Sequence, residues 1–134
     1  MIEDGEAFRL YRWDELPLEK VTEMVSRKIV SGTREMVAQH YMKKGALVPV
    51  HAHESEQMTY VLQGALRALV NGDEVIVREG EILHVPPHVP HQAEAIEDTF
   101  TLDLFCPIRP EWLDQPPAAE TSAAGPAAAT SEEA

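Results

Sequence analysis

Short runs of strand-forming residues, separated by turn residues, constrain the fold of this chain more than any other feature of its sequence. Most runs are bounded by Gly, Pro, Asn or Asp. Asn71-Gly72, which stands between two apolar runs, is a strong hairpin signal. Only Leu16–Thr22 predicts a helical turn. The predicted strands are Phe8–Trp13, Lys28–Val30, Glu35–Met42, Val48–His53, Met58–Leu62, Ala65–Val70, Glu74–Val77, Ile82–Val85, Gln92–Ala95 and Thr99–Phe105. Their regular spacing predicts an all-β sandwich or closed barrel.

The length and composition of the chain predict one folded domain followed by a tail. A chain of 134 residues has the usual size of a single domain. Residues 115–134 consist mainly of Ala, Pro, Glu, Thr and Ser, which cannot build a core. We therefore divide the chain into an N-terminal lead-in with one or more strands at 1–30, a barrel at 31–114 and a disordered tail at 115–134.

Charge and cysteine content exclude several functions. The net charge of −12 opposes general attraction to nucleic acid or to anionic membranes. No apolar run is long enough to cross a membrane, and the acidic N-terminus does not resemble a secretory signal. The single cysteine, Cys106, fits a reducing cytoplasm, and we expect it to be a small buried residue. An anionic ligand would need a local cation in this chain.

A histidine-rich stretch between Gly45 and Gly64 predicts a metal site. His51 and His53 are two residues apart on a predicted strand, so both imidazoles can project from the same face. Gln57 begins the next strand and can reach the same place. An alternative is that Gln57 only forms a hydrogen bond to a ligand.

A second stretch, from Gly80 to His91, brings a third histidine into the prediction. Three histidines and one oxygen ligand suit a divalent Mn, Fe, Co, Ni, Cu or Zn ion, with positions left open for a substrate. His40 and His84 have no comparable glycine frame, and for His84 we expect a buried histidine in the core, with a position lining the pocket as the alternative. We place His88 in a loop, with contact to a ligand as the alternative.

Together the two stretches resemble the motifs of the cupin superfamily. The first matches the pattern of Gly, five residues, His-x-His, three or four residues, Glu, six residues and Gly, except that Gln57 replaces Glu. In the second, His88 replaces the usual Gly and Ala95 the usual Asn. The resemblance implies a double-stranded β-helix, or jelly-roll barrel, with one metal ion on His51, His53, Gln57 and His91. A neutral Gln ligand leaves the full charge on the ion, which favours Lewis-acid chemistry or binding over iron-dependent oxygen activation.

The last predicted strand contains a further group of candidate residues. Thr101, Asp103 and Phe105 share one face, and Arg109 follows the strand. If that face lines the metal cavity, Asp103 is a candidate general acid or base. The planar guanidinium of Arg109 suits a substrate carboxylate. Alternatively, Asp103 and Arg109 form an ion pair that closes the barrel, with Phe105 in the core.

This last segment resembles the KdgF type of small cupins, which take part in pectin and alginate breakdown. The Asp-x-Phe-x-x-x-Arg stretch of that group corresponds to Asp103, Phe105 and Arg109, and the resemblance implies catalytic and substrate-binding roles for these residues. It also implies ring opening and ketonisation of 4,5-unsaturated uronates, and a homodimer. Another metal-dependent enzyme, such as a dioxygenase, isomerase or cyclase, and a non-catalytic binding protein are the alternatives.

Overall fold

The computed structural model describes residues 7–113, which form ten antiparallel strands and little helix. The strands are β1 (Glu19–Lys20), β2 (Val25–Ser31), β3 (Met36–Met42), β4 (Leu47–His51), β5 (Glu56–Gln63), β6 (Ala65–Val70), β7 (Asp73–Arg78), β8 (Ile82–Val85), β9 (His91–Ala95) and β10 (Thr99–Cys106). A short 3₁₀ helix at Trp13–Glu15 precedes them, and helix α1 (Pro110–Leu113) follows. None of the described helices is long and apolar enough to span a membrane.

Two sheets face each other and enclose the core. One has six strands in the order β1-β2-β3-β10-β5-β8, and the other has four in the order β4-β9-β6-β7. A cluster of apolar side chains from both sheets fills one part of the interior, with Val61 fully buried at its centre. A second cluster packs β3 and β10 against Trp112 of α1. The predicted all-β barrel is therefore confirmed.

Alternation of side chains explains why these segments form strands. In β10, Thr101, Asp103 and Phe105 are buried while Leu104 and Cys106 are exposed. The β6–β7 hairpin pairs Val70 with Asp73 across Asn71-Gly72. Both turn residues have positive φ, 53° and 88°, as a tight two-residue turn between twisted strands requires.

Gly64 allows β5 to turn into β6 beside another strand. Its φ is 96°, and a Cβ built there would lie only 2.8 Å from Cα of Thr99. A side chain at this position would therefore strain the backbone and displace β10. This close approach is the structural reason for the second glycine of the first motif.

The N-terminal predictions are wrong in part. Residues 8–12 form no strand, and Phe8 and Leu10 are 84% and 82% exposed. Within residues 7–113 no strand pairs with them, and their apolar residues do not alternate strictly. Leu16–Thr22 forms no helical turn, because Pro17 favours an extended Leu16 (φ −87°, ψ 144°) and β1 follows. The predicted tail at 115–134 lies outside the described residues.

Candidate metal centre

Strands β4 and β9 bring three histidines to one point of the barrel interior. His51 and His91 are direct neighbours in the register of the two strands, and His53 follows β4. One ring nitrogen of each histidine lies within 4.8 Å of those of the other two. The structure thus places together the three histidines that the two motifs predicted to share a metal ion.

Backbone carbonyls fix the orientation of all three rings. The Nδ1 atoms of His51, His53 and His91 donate to the carbonyl oxygens of residues 49, 55 and 89 at 2.8–2.9 Å. A carbonyl only accepts hydrogen bonds, so the proton of each neutral ring resides on Nδ1 and Nε2 carries a lone pair. Nε2 of His51 and of His91 is buried and has no hydrogen-bond partner among the described residues.

Burial keeps these histidines neutral. Desolvation lowers the pKa of His51 and of His53 from 6.5 to about 4, and the positive charge of Arg109 contributes to both shifts. Desolvation also lowers the pKa of His91. A neutral imidazole is the form that binds a metal ion, so near neutral pH the three rings are ready to act as ligands.

Gln57, at the start of β5, adds an oxygen to the three nitrogens. Its Oε1 lies 3.0 Å from Nε2 of His53, and its Nε2 donates to Oγ1 of Thr59 at 2.8 Å. Thr59 in turn donates to Oδ1 of Asp103 at 2.5 Å. A flipped amide would place its oxygen against the oxygen of Thr59, whose proton is already directed to Asp103. The network therefore points Oε1 toward the histidines.

These four lone pairs fit a divalent cation. With His53 neutral, its Nε2 and Oε1 of Gln57 are two acceptors that face each other, and the other two Nε2 atoms have no donor. Unpartnered buried acceptors destabilise a fold unless a cation or donor meets them. Three imidazole nitrogens and one amide oxygen suit a divalent transition metal without selecting one.

Asp103 lies in the same cavity as the candidate ligands and contacts polar side chains of its own chain there. The cavity is lined by His51, Gln57 and His91 together with Asp103 and Phe105. Its Oδ2 contacts Nδ1 of His40 at 2.7 Å and Oγ1 of Thr101 at 2.8 Å.

Arg109 is buried close to this site and stacks on aromatic rings. Its guanidinium carbon lies 4.4 Å from the ring centroid of Trp112 and 5.5 Å from that of Phe105. Its Nε donates to Glu111 at 2.9 Å. Phe105 belongs to the second core cluster, as the alternative interpretation required, and its ring also lies edge-on to His53 at 6.0 Å.

Sequence reasoning missed His40, which lines the cavity and contacts Asp103. A usable signal existed in strand β3, because His40 alternates with Met36, Ala38 and Met42 and must share their buried face. The side chain of Trp112, likewise not singled out, closes this part of the barrel.

Two predictions about other residues are wrong. His84 is not a core histidine: its side chain is 47% exposed and binds Glu56, because β8 is an edge strand on which Leu83 and Val85 face inward. Cys106 is exposed, since it follows the inward-facing Phe105. His88 lies in the β8–β9 loop, as predicted.

Two packed sheets that form a barrel around a three-histidine cluster are typical of small metal-binding β-barrel proteins. The chain belongs to the cupin family, because residues 39–107 match the Cupin domain. This match confirms the cupin fold predicted from the two motifs.

Two relatives carry the same name. The chain is 28% identical over 104 residues to "Pectin degradation protein KdgF" of Dickeya dadantii, an alignment that covers 75% of this chain and 94% of that protein. It superimposes on the structure of KdgF from Halomonas sp. with a TM-score of 0.75 and 28% identity, covering 79% of this chain and 99% of that one.

A third relative has an equally similar structure. It is an RmlC-like cupin from Shewanella frigidimarina, with a TM-score of 0.75 and 26% identity, and the match covers 79% of this chain and 96% of that one. The chain is therefore a cupin that resembles the KdgF proteins.

Proposed function

We propose that this protein is a divalent-metal-dependent enzyme that opens and ketonises 4,5-unsaturated uronates. One observation carries the proposal: three histidine nitrogens and the oxygen of Gln57, two of the nitrogens without any partner, converge beside a cavity that also holds Asp103 and near a buried arginine. His51, His53, Gln57 and His91 would hold the ion. A bound divalent ion would supply Lewis acidity toward a sugar oxygen.

Arg109 is the local cation that an anionic substrate needs in a chain of net charge −12. Its charge is close enough to the three histidines to lower their pKa values. A planar guanidinium forms paired hydrogen bonds with a carboxylate, so Arg109 is the group we assign to the uronate carboxylate. Phe105, between Arg109 and His53, would support the sugar ring.

The proposed reaction is an isomerisation and needs no redox partner. The hemiacetal bond between C1 and the ring oxygen breaks, C1 becomes a carbonyl, and the C4=C5 enol ether becomes an enol. A proton added at C4 and one lost from the enol oxygen then give a ketone at C5. The protein must therefore move a proton, and Asp103, with the groups bonded to it, is the acid–base candidate in the cavity.

The test is the loss of near-UV absorbance from a 4,5-unsaturated uronate. We expect metal-loaded protein to remove the absorbance and chelator-treated protein to leave it. An absence of loss by protein shown to contain metal would contradict the proposal. Oxygen consumption by the iron-loaded protein with a candidate substrate would contradict the non-oxidative chemistry. The homodimer and the cytoplasmic location remain predictions.

One observation favours a second candidate function. The cavity is also lined by apolar side chains, among them Val25, Met42, Val48, Leu66 and Leu83. Such a lining suits a less polar substrate than a sugar. A metal-dependent reaction on an apolar carboxylic acid is therefore the alternative, and metal-loaded protein that is inert toward uronates would favour it.

A further inference from the structure

Asp103 is fully engaged by its own chain. Its Oδ1 accepts from Thr59, and its Oδ2 accepts from Thr101 and from Nδ1 of His40. The residue is only 4% exposed. A carboxylate that accepts three internal hydrogen bonds is well placed to orient the groups that donate them. It is poorly placed to take a proton from a ligand without losing one of these bonds.

His40 has the opposite arrangement. Its Nδ1 lies 2.7 Å from Asp103, so the proton of the neutral ring resides on Nδ1 and Nε2 carries a lone pair. That Nε2 is buried and has no hydrogen-bond partner among residues 7–113. The side chain is 5% exposed and lines the same cavity as His51 and His91. A residue that lines the cavity therefore carries a basic nitrogen without a partner in the described chain, and its ring is oriented by a carboxylate.

Aromatic and charged neighbours fix the environment of His40. Its ring forms a T-shaped contact with that of Trp112, with the centroids 5.6 Å apart and the planes at 73°. Two guanidiniums lie over the ring of Trp112, whose centroid is 4.1 Å from the guanidinium carbon of Arg27 and 4.4 Å from that of Arg109. Arg27 comes from β2, where it pairs with His40, and Asp103 comes from β10. The inward-facing side chains of β5 are uncharged, and across the cavity stand the candidate metal ligands.

We propose that His40 is the catalytic residue that carries the proton, and that Asp103 is a positioning residue that acts through it. This inference rests on the proposed ring opening. Nε2 takes the proton of the C1 hydroxyl as the bond between C1 and the ring oxygen breaks and the C5 enolate forms. The same proton is then delivered to C4 as the enolate becomes a ketone. The imidazole returns to its neutral form, so atoms and electrons balance.

The test compares two histidine variants in the metal-loaded protein. His40→Asn keeps a donor near the position of Nδ1 for Asp103 and removes the basic nitrogen. Loss of a general acid or base typically costs about 10²–10⁴-fold, so we expect kcat to fall by at least about 100-fold with unchanged metal content. His84→Asn is the matched control, because His84 forms the exposed histidine–carboxylate pair with Glu56, and it should leave kcat unchanged. If His40→Asn misfolds, His40→Gln replaces it.

The pH profile of kcat shows which of the two residues, His40 or Asp103, carries the proton. If His40 carries the proton, Asp103→Asn lowers kcat but keeps one ionisation in the profile, whereas His40→Asn loses that ionisation. If Asp103 carries the proton, that ionisation disappears in Asp103→Asn and survives in His40→Asn. The second pattern would overturn the inference.

Two further outcomes are distinguishable. Wild-type protein that consumes uronate, together with a His40→Asn variant within about threefold of it, overturns the role of His40 and leaves the proposed function intact. Metal-loaded wild type without turnover overturns the proposed function itself. Long-range ¹⁵N NMR of the ring does not depend on turnover: it should show His40 protonated on Nδ1 and bare on Nε2. The opposite tautomer contradicts the inference whether or not the protein is active.

Discussion

The two sheets that form the walls of the barrel differ in the hydrogen bonding of their polar side chains. On the four-stranded wall, His51 and His91 present buried Nε2 atoms that have no partner in the described chain. On the six-stranded wall, Gln57, Thr59 and Asp103 form a continuous chain of hydrogen bonds. The four-stranded wall therefore presents two candidate ligand nitrogens that lack a partner, whereas the groups that orient Gln57 on the six-stranded wall bond to one another. On the six-stranded wall, Nε2 of His40 and Nη1 of Arg27 also lack a partner among the described residues.

The difference indicates which wall depends on a ligand. Unpartnered acceptors destabilise the metal-free protein, and a cation that binds to them stabilises the fold. A hydrogen-bonded network keeps its geometry with or without the ion, so it can orient Gln57 in advance. Each prediction below perturbs one wall or the junction between the two.

The largest effect is expected for His91→Ala, which removes a ligand from the four-stranded wall. Losing a group that only supports a ligand typically costs 10–100-fold in metal affinity, so losing a ligand should cost at least about 100-fold. Competition with a chromophoric chelator for Ni²⁺ or Zn²⁺ measures it. His84→Ala removes an exposed histidine and is the control. Equal affinity in the two variants would mean that other residues hold the ion.

A smaller effect is expected for Thr59→Val, which breaks the network of the six-stranded wall. The substitution leaves the Nε2 of Gln57 and Oδ1 of Asp103 without their shared partner. We expect about a 10–100-fold loss of metal affinity and about 1–3 kcal/mol lower free energy of unfolding. Thr33→Val, at an exposed loop position, should change stability by less than about 0.5 kcal/mol. Unchanged metal affinity in Thr59→Val would show that Gln57 is oriented by something else.

Acid should destabilise the metal-free protein through the four-stranded wall. The pKa of His51 and of His53 is about 4 in the fold, against the ordinary 6.5. Between these values the unfolded chain binds more protons, so the free energy of unfolding falls as pH drops from 6.5 toward 4 and is level above 6.5. Denaturant midpoints measured with chelator at several pH values test this.

Two comparisons sharpen the acid prediction. Saturating Zn²⁺ should raise the midpoint most at neutral pH and progressively less in acid, because protons compete with the metal for the same nitrogens. His51→Asn should flatten the profile of the metal-free protein. A wild-type profile that is level between pH 6.5 and 4 would contradict the lowered pKa values.

The fold was predictable because its signals are local. Ala65–Val70 and Ile82–Val85 are strands with the predicted bounds, since alternation and the flanking turn residues determine both ends. The three-histidine cluster was predictable because the motif spacing sets which strands carry its members. The prediction of a strand at Phe8–Trp13 is wrong because a strand needs a neighbouring strand to pair with, and the composition of a segment does not show whether one is present.

The network around Asp103 was only partly predictable, since it depends on contacts between distant residues. The face shared by Thr101, Asp103 and Phe105 follows from strand alternation. The partner of Asp103 does not, because His40 is 63 residues away and no spacing rule links them. Similarly, the stacking of Arg27 on Trp112 joins the second strand to the last helix. Such contacts follow from sheet order and register, which only the structure supplies.

The smallest effect is expected where the two walls meet, in the β8–β9 loop. His88 has a φ of 66°, a conformation that suits glycine, and glycine is what the second cupin motif usually has there. Its amide donates to the carbonyl oxygen of His53 at 2.7 Å, so the loop is bonded to a candidate metal ligand through backbone alone. A left-handed backbone conformation costs a residue with a side chain about 1–2 kcal/mol. Glycine avoids this cost, but it loses more conformational entropy on folding, which offsets part of the benefit.

We therefore expect His88→Gly to raise the free energy of unfolding by up to about 1 kcal/mol while metal affinity stays the same. His88→Ala is the matched control, because it removes the imidazole but keeps the Cβ, and it should not raise stability. Denaturant titration and chelator competition on the two variants measure both quantities. A fall in metal affinity in both variants would show that the His88 side chain itself contributes to the site, and the junction would then be more than a backbone connection between the walls.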